Sequence, residues 1–510
     1  MYSPEKPQKR IEKYPGIILG KHPTKDEFLV SYGQTFVDLA AEPGSGKTVG
    51  FVIPNLLSYP DSMVVNDPKF ECWGVTAGFR AAAGHKVFRF SPELLETHRW
   101  NPLSTIRRDP LYRLGDCRTI ASSLYVADNP KNQEWYSKAA TVFTALVLYL
   151  IETPAMPCTL PQVYEISALG TGMAGWAERV IAERAASDTP LSNECVRELT
   201  GIAEQAKAKG GGWGTTSDIV RSCLTMYSEK TVAWAVSGDD IQFDKMREEK
   251  TTVYFCASED TLEKYAPLMS LFYAQAIRQN SKGQPDKGGH CPDGSLRLKF
   301  QVWVLMDELA IMGRIKVMET APAVTRGAGL RYGIIYQNRE QLKADDVYGS
   351  KAEAILKAFH IQIVYTPKDV KEAEDYSKRL GNRTEKVYSG SVSDGDKKRS
   401  TSTSWSLQPR PLMLPQEILE LPYEEQLIFV GGTRRTEPLK IRCRKIFWYE
   451  EPEFLERANW PTPPVPSGDA ALIDAMTVSV VVPDDPVKLV APHEALLNQA
   501  LEEARQRPRA

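Results

Sequence analysis

The sequence predicts an α/β protein in which a mainly parallel sheet is interrupted by an all-helical insert. Two segments, 16–95 and 248–460, alternate short apolar runs with helical patterns. Between them, in 96–247, apolar residues recur at helical spacing and strand-like runs are absent. Strands separated by helices are typical of a parallel sheet, because a parallel connection is long enough to hold a helix. One sheet domain is therefore predicted to form from two separate segments.

The predicted elements follow in order along the chain. Segment 16–95 is predicted to form strands at 28–30, 36–40, 63–65 and 86–90, with helices at 48–57 and 73–83. The insert is predicted to contain helices at 134–152, 173–186 and 193–208. Segment 248–460 is predicted to add a helix at 262–279 and strands at 251–256, 300–306, 331–336 and 360–364.

Four segments show neither the strand pattern nor the helix pattern of apolar residues. Residues 1–15 are polar and basic and are predicted to be a flexible leader, and residues 461–510 a proline-rich, largely disordered tail with one short amphipathic helix at 493–505. Segment 281–296 is rich in Gly, Pro and Asp, and segment 390–408 is rich in Ser, Thr and Lys. Both are predicted to be mobile surface loops.

Composition narrows the class of protein. A chain of 510 residues with 42% hydrophobic and 25% charged residues is long enough for two or three globular domains. A net charge of −2 gives no global attraction for nucleic acid or membrane, so any contact with a polyanion must be local. The eight cysteines are scattered, with no CxxC pair and no His at metal-ligand spacing, and are predicted to be reduced, mostly buried thiols of a cytosolic protein. The longest apolar run, 141–151, is about half the length of a membrane span, and no signal peptide is evident.

The run A-E-P-G-S-G-K-T at 41–48 matches the phosphate-binding P-loop pattern, with Ala41 in place of the leading glycine. A predicted strand precedes it and a predicted helix follows, so free N–H groups would face an anion. In this reading Gly44 and Gly46 let the backbone curl around phosphate, Lys47 reaches the β- and γ-phosphates, and the Thr48 hydroxyl ligates Mg²⁺. The remaining predicted nucleotide contacts are Ser45 and Val49. The alternative is a glycine turn with a solvated lysine.

A second acidic motif follows the predicted strand 300–306. Asp307 is predicted to hold Mg²⁺ through its water shell, and Glu308 to polarise the attacking water as general base. The alternative is a pair of acids at a helix N-terminus.

The P-loop belongs to an ordered set of motifs that is more specific than the loop alone. The set extends from about residue 16 to residue 453 and comprises G-S-G-K-T-V-G-F-V-I-P-N-L-L at 44–57, D-P-K-F-E at 67–71, N-P-L at 101–103, L-M-D-E-L-A-I-M-G at 305–313, Y-G at 348–349 and R-P-L-M-L-P-Q-E-I at 410–418. It resembles the type IV coupling proteins. These are RecA-like ATPases that hand DNA–relaxase complexes or effector proteins to a type IV secretion channel in bacterial conjugation.

The resemblance implies a RecA-like P-loop ATPase domain that uses ATP and Mg²⁺ and assembles as a homo-hexamer. It also implies that a neighbouring subunit inserts an arginine onto the γ-phosphate, with Arg326 the matching residue and Arg331 the alternative. Gln337 matches the family's γ-phosphate-sensing glutamine. The expected location is the cytoplasmic face of the bacterial inner membrane. Family members usually begin with two membrane spans, which this chain lacks, so the sequence leaves its own anchoring open.

The expected partners are sequence-independent single- or double-stranded DNA, a relaxase, relaxosome or effector proteins, and channel components. Two alternatives share the same motifs: a DNA translocase for packaging or segregation, and a receptor platform whose nucleotide site is mainly structural. Trp213, beside a glycine run, is either a partner contact or a core residue. The candidate DNA contacts are basic residues in the insert and near the last strand, where alternation also fits the wet face of a strand: Lys207, Lys209, Arg434, Arg435, Lys440, Arg442 and Arg444.

Overall fold

A computed structural model describes residues 14–480, apart from 128, 209, 211, 283–297, 346, 396–397 and 433–436. Side chains are described for these residues except 130, 326, 390–395, 398–403 and 470. Almost all of the predicted leader, most of the predicted loop 281–296 and the predicted helix 493–505 lie outside the described residues.

The described residues form thirteen strands, which include every strand that the sequence predicts. They are β1 (Ile17–Lys21), β2 (Phe28–Ser31), β3 (Val37–Ala40), β4 (Ser62–Asp67), β5 (Lys86–Phe90), β6 (Thr251–Cys256), β7 (Val302–Met306), β8 (Leu330–Tyr336), β9 (Ile361–Val364), β10 (Asn382–Gly395), β11 (Lys398–Pro411), β12 (Glu425–Val430) and β13 (Leu439–Arg444). The sequence did not predict β1, β10, β11 and β12.

Eleven of these strands form one sheet, in the order β2-β1-β13-β12-β9-β3-β8-β7-β4-β6-β5. The seven strands from β9 to β5 are parallel to one another. The other four are antiparallel and extend one edge of the sheet. Apart from the edge strand β5, the parallel strands are buried on both faces, as expected where helices cover a sheet. The predicted α/β fold with a mainly parallel sheet is confirmed.

The helices include every helix that the sequence predicts within the described residues, and they add others. They are α1 (Ile53–Leu56), α2 (Glu71–Ala82), α3 (Arg113–Leu124), α4 (Gln133–Ile151), α5 (Leu160–Ser167), α6 (Met173–Ala185), α7 (Asn193–Lys207), α8 (Trp213–Ser222), α9 (Lys230–Ala235), α10 (Leu262–Asn280), α11 (Ala321–Val324), α12 (Arg339–Leu342), α13 (Ala352–Leu356), α14 (Val370–Leu380), α15 (Pro415–Leu419), α16 (Pro452–Ala458) and α17 (Ala470–Asp474). A wide π-helical turn, Thr48–Val52, precedes α1, so the predicted helix 48–57 does not begin as an α-helix.

The chain between β5 and β6 is helical throughout its regular elements, from α3 to α9. Its central helix is α4, in which residues 142–150 are all buried and which packs against α3, α7 and α8. A helix that is apolar on all sides belongs in an interior, which explains why this apolar run does not mark a membrane span. None of the helices in the described ranges combines the length and apolar character needed to cross a membrane.

An aromatic cluster joins the helical insert to the sheet. The ring of Phe272, in α10, lies 5.1 Å from Phe90 at the end of β5, 5.0 Å from Trp100 and 4.9 Å from Phe243, measured between ring centroids. All four side chains are buried. Such aromatic pairs contribute about 0.5–1.5 kcal/mol each beyond the area they bury, so the insert is firmly seated on the sheet.

The prediction that 390–408 is a surface loop is wrong. This segment belongs to β10 and β11, which pair over fourteen positions from Asn382↔Pro411 to Gly395↔Lys398 and form a separate two-stranded sheet. We call it the ribbon. Its Ser, Thr and Lys content resembled a loop because neither strand joins the main sheet, so neither shows the apolar alternation of a half-buried strand.

Part of the segment predicted as a tail is ordered. The side chains of Leu472, Ile473 and Met476 pack against Trp234 in the insert. Val478 exchanges two hydrogen bonds with the Gln162 side chain, at 2.7 and 2.9 Å. The tail prediction is therefore wrong as far as Val480, because apolar residues beyond the proline-rich run find a surface on the insert; residues 481–510 lie outside the described part.

Candidate functional site

Three neighbouring parallel strands, β3, β8 and β7, end at the same edge of the sheet. The predicted P-loop follows β3, Gln337 follows β8, and Asp307 and Glu308 follow β7. In open α/β sheets, ligands bind outside the carboxyl ends of the strands. The fold therefore gathers predicted site residues that are far apart in the sequence.

The backbone of the loop has the conformation that its glycines allow. Gly44 has φ +74° and Gly46 has φ +84°, both in the left-handed region. A Cβ at Gly46 would lie only 2.8 Å from the hydroxyl oxygen of Tyr423, so a side chain there would clash as well as strain the backbone. Ala41 has no positive φ, which explains why alanine can replace the leading glycine of the motif. Val49 lies in the π-helical turn beyond the loop and is half-buried.

Five of the predicted residues form one connected set of contacts. The Thr48 hydroxyl donates to Asp307 Oδ2 at 3.4 Å, and Lys47 Nζ lies 3.5 Å from Asp307 Oδ1. Lys47 also forms an ion pair with Glu308. Gln337 Nε2 donates to Glu308 Oε2 at 3.4 Å, so the residue after β8 reaches the same cluster.

Burial makes Asp307 an unusual carboxylate. Its side chain is 1% exposed, and desolvation raises its pKa, while Lys47 and Thr48 oppose that rise. Its Oδ1 atom accepts no hydrogen bond from any residue that the structure describes. An ionised carboxylate in such surroundings needs a cation, and Lys47, whose Nζ is 3.5 Å from this atom, provides one. With the Thr48 hydroxyl beside it, the site offers the hard oxygen ligands that Mg²⁺ prefers, and few enough of them for the ion to keep its waters.

The backbone of Glu308 is strained. It has φ +56°, and among the described non-glycine residues only Phe70 shares a positive φ. Such a conformation costs of order 1 kcal/mol or more and persists only where the surrounding structure enforces it. Here it accompanies the turn that directs the Glu308 carboxylate to Lys47 and Gln337.

Asn66 braces this acidic motif, and sequence analysis missed it. Its side chain donates to the Asp307 carbonyl at 2.5 Å and accepts from the Asp307 N–H at 2.6 Å. Asn66 is 1% exposed and lies at the end of β4, the strand beside β7. The signal was available, because M-V-V-N-D ends an apolar strand in polar residues just as the stretch before Glu308 does.

Lys445 braces the phosphate loop from another side, and it too was missed. Its Nζ donates to the Ser45 carbonyl at 3.0 Å and lies 3.9 Å and 4.5 Å from the ring centroids of Tyr365 and Tyr423. Lys445 is only 5% exposed, and burial lowers its pKa to about 8. It lines a cleft of about 580 Å³ together with the first half of the loop. In the sequence it follows the alternating basic residues of the last strand, which concealed its different position.

The two candidate trans arginines differ in position. Arg326 lies on a short helical turn, Arg326–Ala328, just before β8. Arg331 is fully buried and donates to three main-chain carbonyls, of Thr35 at 2.8 Å, Pro15 at 3.0 Å and Ser31 at 3.0 Å. Arg331 therefore holds the chain before β3 against β8, and the alternative that it reaches a neighbouring subunit is wrong.

Most of the candidate DNA contacts have partners within the chain. Lys207 pairs with Glu178, and Arg442 pairs with Glu425. Lys440 donates to the Leu380 carbonyl at 2.7 Å, and Arg444 to the carbonyls of His22 at 3.2 Å and Lys25 at 3.0 Å. Lys209, Arg434 and Arg435 lie outside the described residues. The contacts of β13 thus match the alternative of a strand surface better than an open DNA groove.

Trp213 also has a structural role. It begins α8, is half-buried against the core, and donates from Nε1 to the Thr171 carbonyl at 3.2 Å. These contacts match a packed core residue rather than an exposed partner contact.

The architecture and the site motifs agree with what comparison of the sequence shows. Residues 6–467 match the family described as type IV secretory system conjugative DNA transfer. The chain belongs to this family. The resemblance seen in the motifs is thereby confirmed, and with it the assignment to conjugative coupling proteins.

Individual relatives are distant but cover most of the chain. The conjugal transfer protein TraG of Escherichia coli is 25% identical over 482 residues, which is 88% of this chain and 73% of TraG. Protein VirD4 of Agrobacterium fabrum is 27% identical over 419 residues, which is 81% of this chain and 58% of VirD4.

Solved structures share the fold. The conjugative coupling protein TrwB without its first 70 residues matches with a TM-score of 0.55 and 18% identity, over 87% of this chain and 97% of that structure. TrwB with ADP and Mg²⁺ matches with a TM-score of 0.51 and 19% identity, over 82% of this chain and 87% of that structure.

The contacts of Arg331 give a prediction about stability. Arg331→Met should lower the free energy of unfolding by about 2–4 kcal/mol, because it leaves buried carbonyls without a donor. Urea unfolding followed by circular dichroism measures this change. The control is Arg197→Met, at a largely exposed arginine, which should change the free energy by less than about 0.5 kcal/mol. Equal effects of the two substitutions would contradict a structural role for Arg331.

The buried amine of Lys445 gives a prediction about pH. Its pKa is about 8 in the folded chain against 10.5 for an unperturbed lysine, so between these values the unfolded chain binds more protons. Stability contributed by this residue therefore rises with pH across that window, by up to about 3 kcal/mol. Urea unfolding at pH 8 and pH 10 should show this rise in the parent and lose most of it in Lys445→Met. The exposed-site control Lys357→Met should keep the parent's profile; a parent profile in Lys445→Met would refute the assignment.

Proposed function

We propose that this coupling protein hydrolyses ATP and uses the energy to deliver DNA–relaxase complexes, effector proteins or both to a type IV secretion channel. The observation that carries the proposal is the contact of Lys47 and Thr48 with Asp307. Thr48 and Asp307 are 259 positions apart in the sequence. A glycine turn with a solvated lysine would have no reason to meet a buried acid. TrwB, which shares the fold, has been solved with ADP and Mg²⁺ and with ADPNP.

Each residue of the cluster then has a distinct task. Lys47 and the loop N–H groups of Gly44 to Val49 bind the phosphates, and the charge of Lys47 stabilises the transferred phosphoryl group. Thr48 and Asp307 would hold Mg²⁺, which neutralises charge on the phosphate oxygens. Glu308 accepts a proton from the attacking water as general base. In the structure Lys47 is paired with Glu308, so bound phosphate would compete for Lys47 and release the glutamate for this task.

Gln337 connects this site to the next element. It donates to Glu308 and accepts a hydrogen bond from Gln341 of α12 at 3.1 Å. A side chain that touches both the general base and the following helix is well positioned to report the state of the γ-phosphate. This supports its proposed role as a sensor.

We further propose that the chain assembles as a homo-hexamer at the cytoplasmic face of the bacterial inner membrane. In that assembly Arg326 of one subunit completes the site of its neighbour. An arginine that stabilises charge in phosphoryl transfer typically contributes a factor of about 10³–10⁵ to the rate. The proposed partners are DNA, relaxase or effector proteins, and components of the channel.

Loss of the lysine charge tests hydrolysis directly. Lys47→Ala should lower the ATPase rate by about 100-fold or more, because the charge serves phosphate and not the core. Glu308→Gln should lower the rate to a similar extent while keeping nucleotide affinity, since it removes only the base. Phosphate release measures the rate, and a fluorescent ATP analogue measures binding.

The control for this experiment is Lys69→Ala, at an exposed lysine after the neighbouring strand β4. It should hydrolyse ATP at the parent rate. A Lys47→Ala variant that hydrolyses as fast as the parent would mean that the site is misassigned. A parent that binds nucleotide without hydrolysing it, with or without single-stranded DNA, would favour the alternative of a structural receptor platform.

Subunit mixing tests the trans arginine. Arg326→Ala and Lys47→Ala should each be inactive alone, since every site lacks one essential charge. Mixed in equal amounts, they should regain activity, because some interfaces combine an intact Lys47 with an intact Arg326. Mixing each variant with Glu308→Gln provides matched controls: Arg326→Ala with Glu308→Gln should recover, and Lys47→Ala with Glu308→Gln should not. No recovery in any mixture would place Arg326 outside a shared site.

A further inference from the structure

The ribbon formed by β10 and β11 has two unlike faces. Residues that lie opposite one another on the two strands share a face. Tyr388 lies opposite Trp405, and Lys386 lies opposite Leu407 two positions along, so these four residues are on the same face. We call this side the aromatic face. Its large side chains are open to solvent, with Tyr388 67%, Trp405 59% and Leu407 58% exposed.

On the opposite face, polar side chains form ion pairs and hydrogen bonds with one another. Glu385 pairs with Arg383 at 3.4 Å and with Arg410 at 3.8 Å, and Ser389 and Ser404 share a hydrogen bond at 2.8 Å. These charges and hydroxyls therefore have partners within the ribbon. The two faces are thus differently equipped for binding.

The exposed aromatics need an explanation, because they belong to none of the apolar clusters among the described residues. The ribbon joins the body of the protein at its base, where the Leu412 N–H donates to the Gly381 carbonyl at 2.8 Å and β11 approaches α14. An isolated two-stranded ribbon is only marginally stable in water. The cross-strand pair of Tyr388 and Trp405 contributes no more than about 1 kcal/mol to the ribbon. The exposed indole, phenol and leucine side chains also provide a flat apolar surface for a partner.

Charge and ring chemistry identify the partner. The ammonium of Lys386 lies 5.0 Å from the Trp405 ring centroid, so a cation adjoins the aromatic surface. Among the described side chains of the aromatic face there is no acid. The sequence of 382–411 has six lysines and arginines and three acids, although the whole chain has a net charge of −2. Aromatic rings beside cations are the usual means of holding single-stranded nucleic acid, since every base has a face that can stack.

We propose that the aromatic face of the ribbon binds single-stranded DNA by stacking unpaired bases on Tyr388 and Trp405, with Lys386 contacting the phosphate backbone. The inference deepens the proposed function and rests on it for the presence of a DNA substrate. It assigns the contact to the ribbon and not to the basic residues of β13. Duplex DNA cannot use this surface in the same way, because its bases are already stacked.

The test compares single-stranded and duplex DNA on the full chain. Fluorescence anisotropy with a labelled oligothymidine, without nucleotide, should show that Tyr388→Ala together with Trp405→Ala weakens binding about 10- to 100-fold. Duplex binding should change less than about threefold. Tyr388→Phe together with Trp405→Phe should restore single-strand affinity, because it keeps the rings. The opposite-face control, Val387→Ala together with Ser406→Ala, should bind like the parent.

Photocrosslinking is a second measurement, and it uses the parent protein, so it does not require that a substituted variant folds. An oligonucleotide carrying iodouracil should crosslink under long-wave ultraviolet light to Tyr388 or Trp405 in the parent, as mass spectrometry of the digest will show. Crosslinks confined to other segments would overturn the proposal. So would an unchanged affinity of the alanine pair, an equal loss for duplex, or no binding of oligothymidine by the parent.

Other outcomes would reassign the surface. If the alanine pair kept its DNA affinity but sedimented as a smaller assembly, the aromatic face would bind a second copy of this chain. If it kept both DNA affinity and assembly but lost binding to a relaxase, the face would bind protein cargo. The ATPase rate without DNA separates the proposed ATP site from the proposed DNA contact on the ribbon. The ribbon variants should keep this rate, whereas Lys47→Ala should lose it while still binding oligothymidine.

Discussion

The candidate site depends on one constraint: a buried carboxylate on β7 must lie beside the loop that follows β3. Between these strands lies β8, so the contact of Asp307 with Lys47 and Thr48 spans the ends of three strands. Only a sheet in which all three run parallel brings their carboxyl ends together. The antiparallel strands beyond β9 support that edge indirectly, because Lys445 follows β13 and donates to the Ser45 carbonyl of the loop.

Buried polar side chains outside the proposed reaction hold this edge of the sheet in position. Asn66 holds the Asp307 backbone from β4, and Lys445 holds the Ser45 carbonyl from beyond β13. Arg331 ties the chain before β3 to β8. Each such group costs free energy if its partner is lost, because an unsatisfied polar atom in the core is expensive. These braces therefore determine the position of the loop and the acids more strictly than apolar packing could.

Sequence reasoning found the parts whose signal is local. The loop glycines, the acids after an apolar strand and the long helices of the insert each follow from a short pattern. It missed Asn66 and Lys445 because their roles depend on which strands become neighbours, and strand order is not written in any single segment. Arg331 was left as an alternative for the same reason, since an arginine at the start of a strand looks identical whether it is exposed or bonded to three carbonyls. The ribbon was missed because neither of its faces is buried by the sheet.

The ribbon and the candidate site are connected through polar contacts on one side of the sheet. Arg339, two residues beyond Gln337, donates to Gln362 Oε1 at 3.2 Å, and Arg379 of α14 donates to the same oxygen. Gln362 in turn donates to Asp38 at 2.9 Å. Burial raises the pKa of Asp38 to about 6. Helix α14 ends at Leu380, and β10 begins two residues later. Because both arginines share one acceptor, Arg339 cannot move away from Gln362 without altering the surroundings of Arg379. The base of the ribbon is thus joined to the residues that follow the proposed sensor by contacts within a single folded unit.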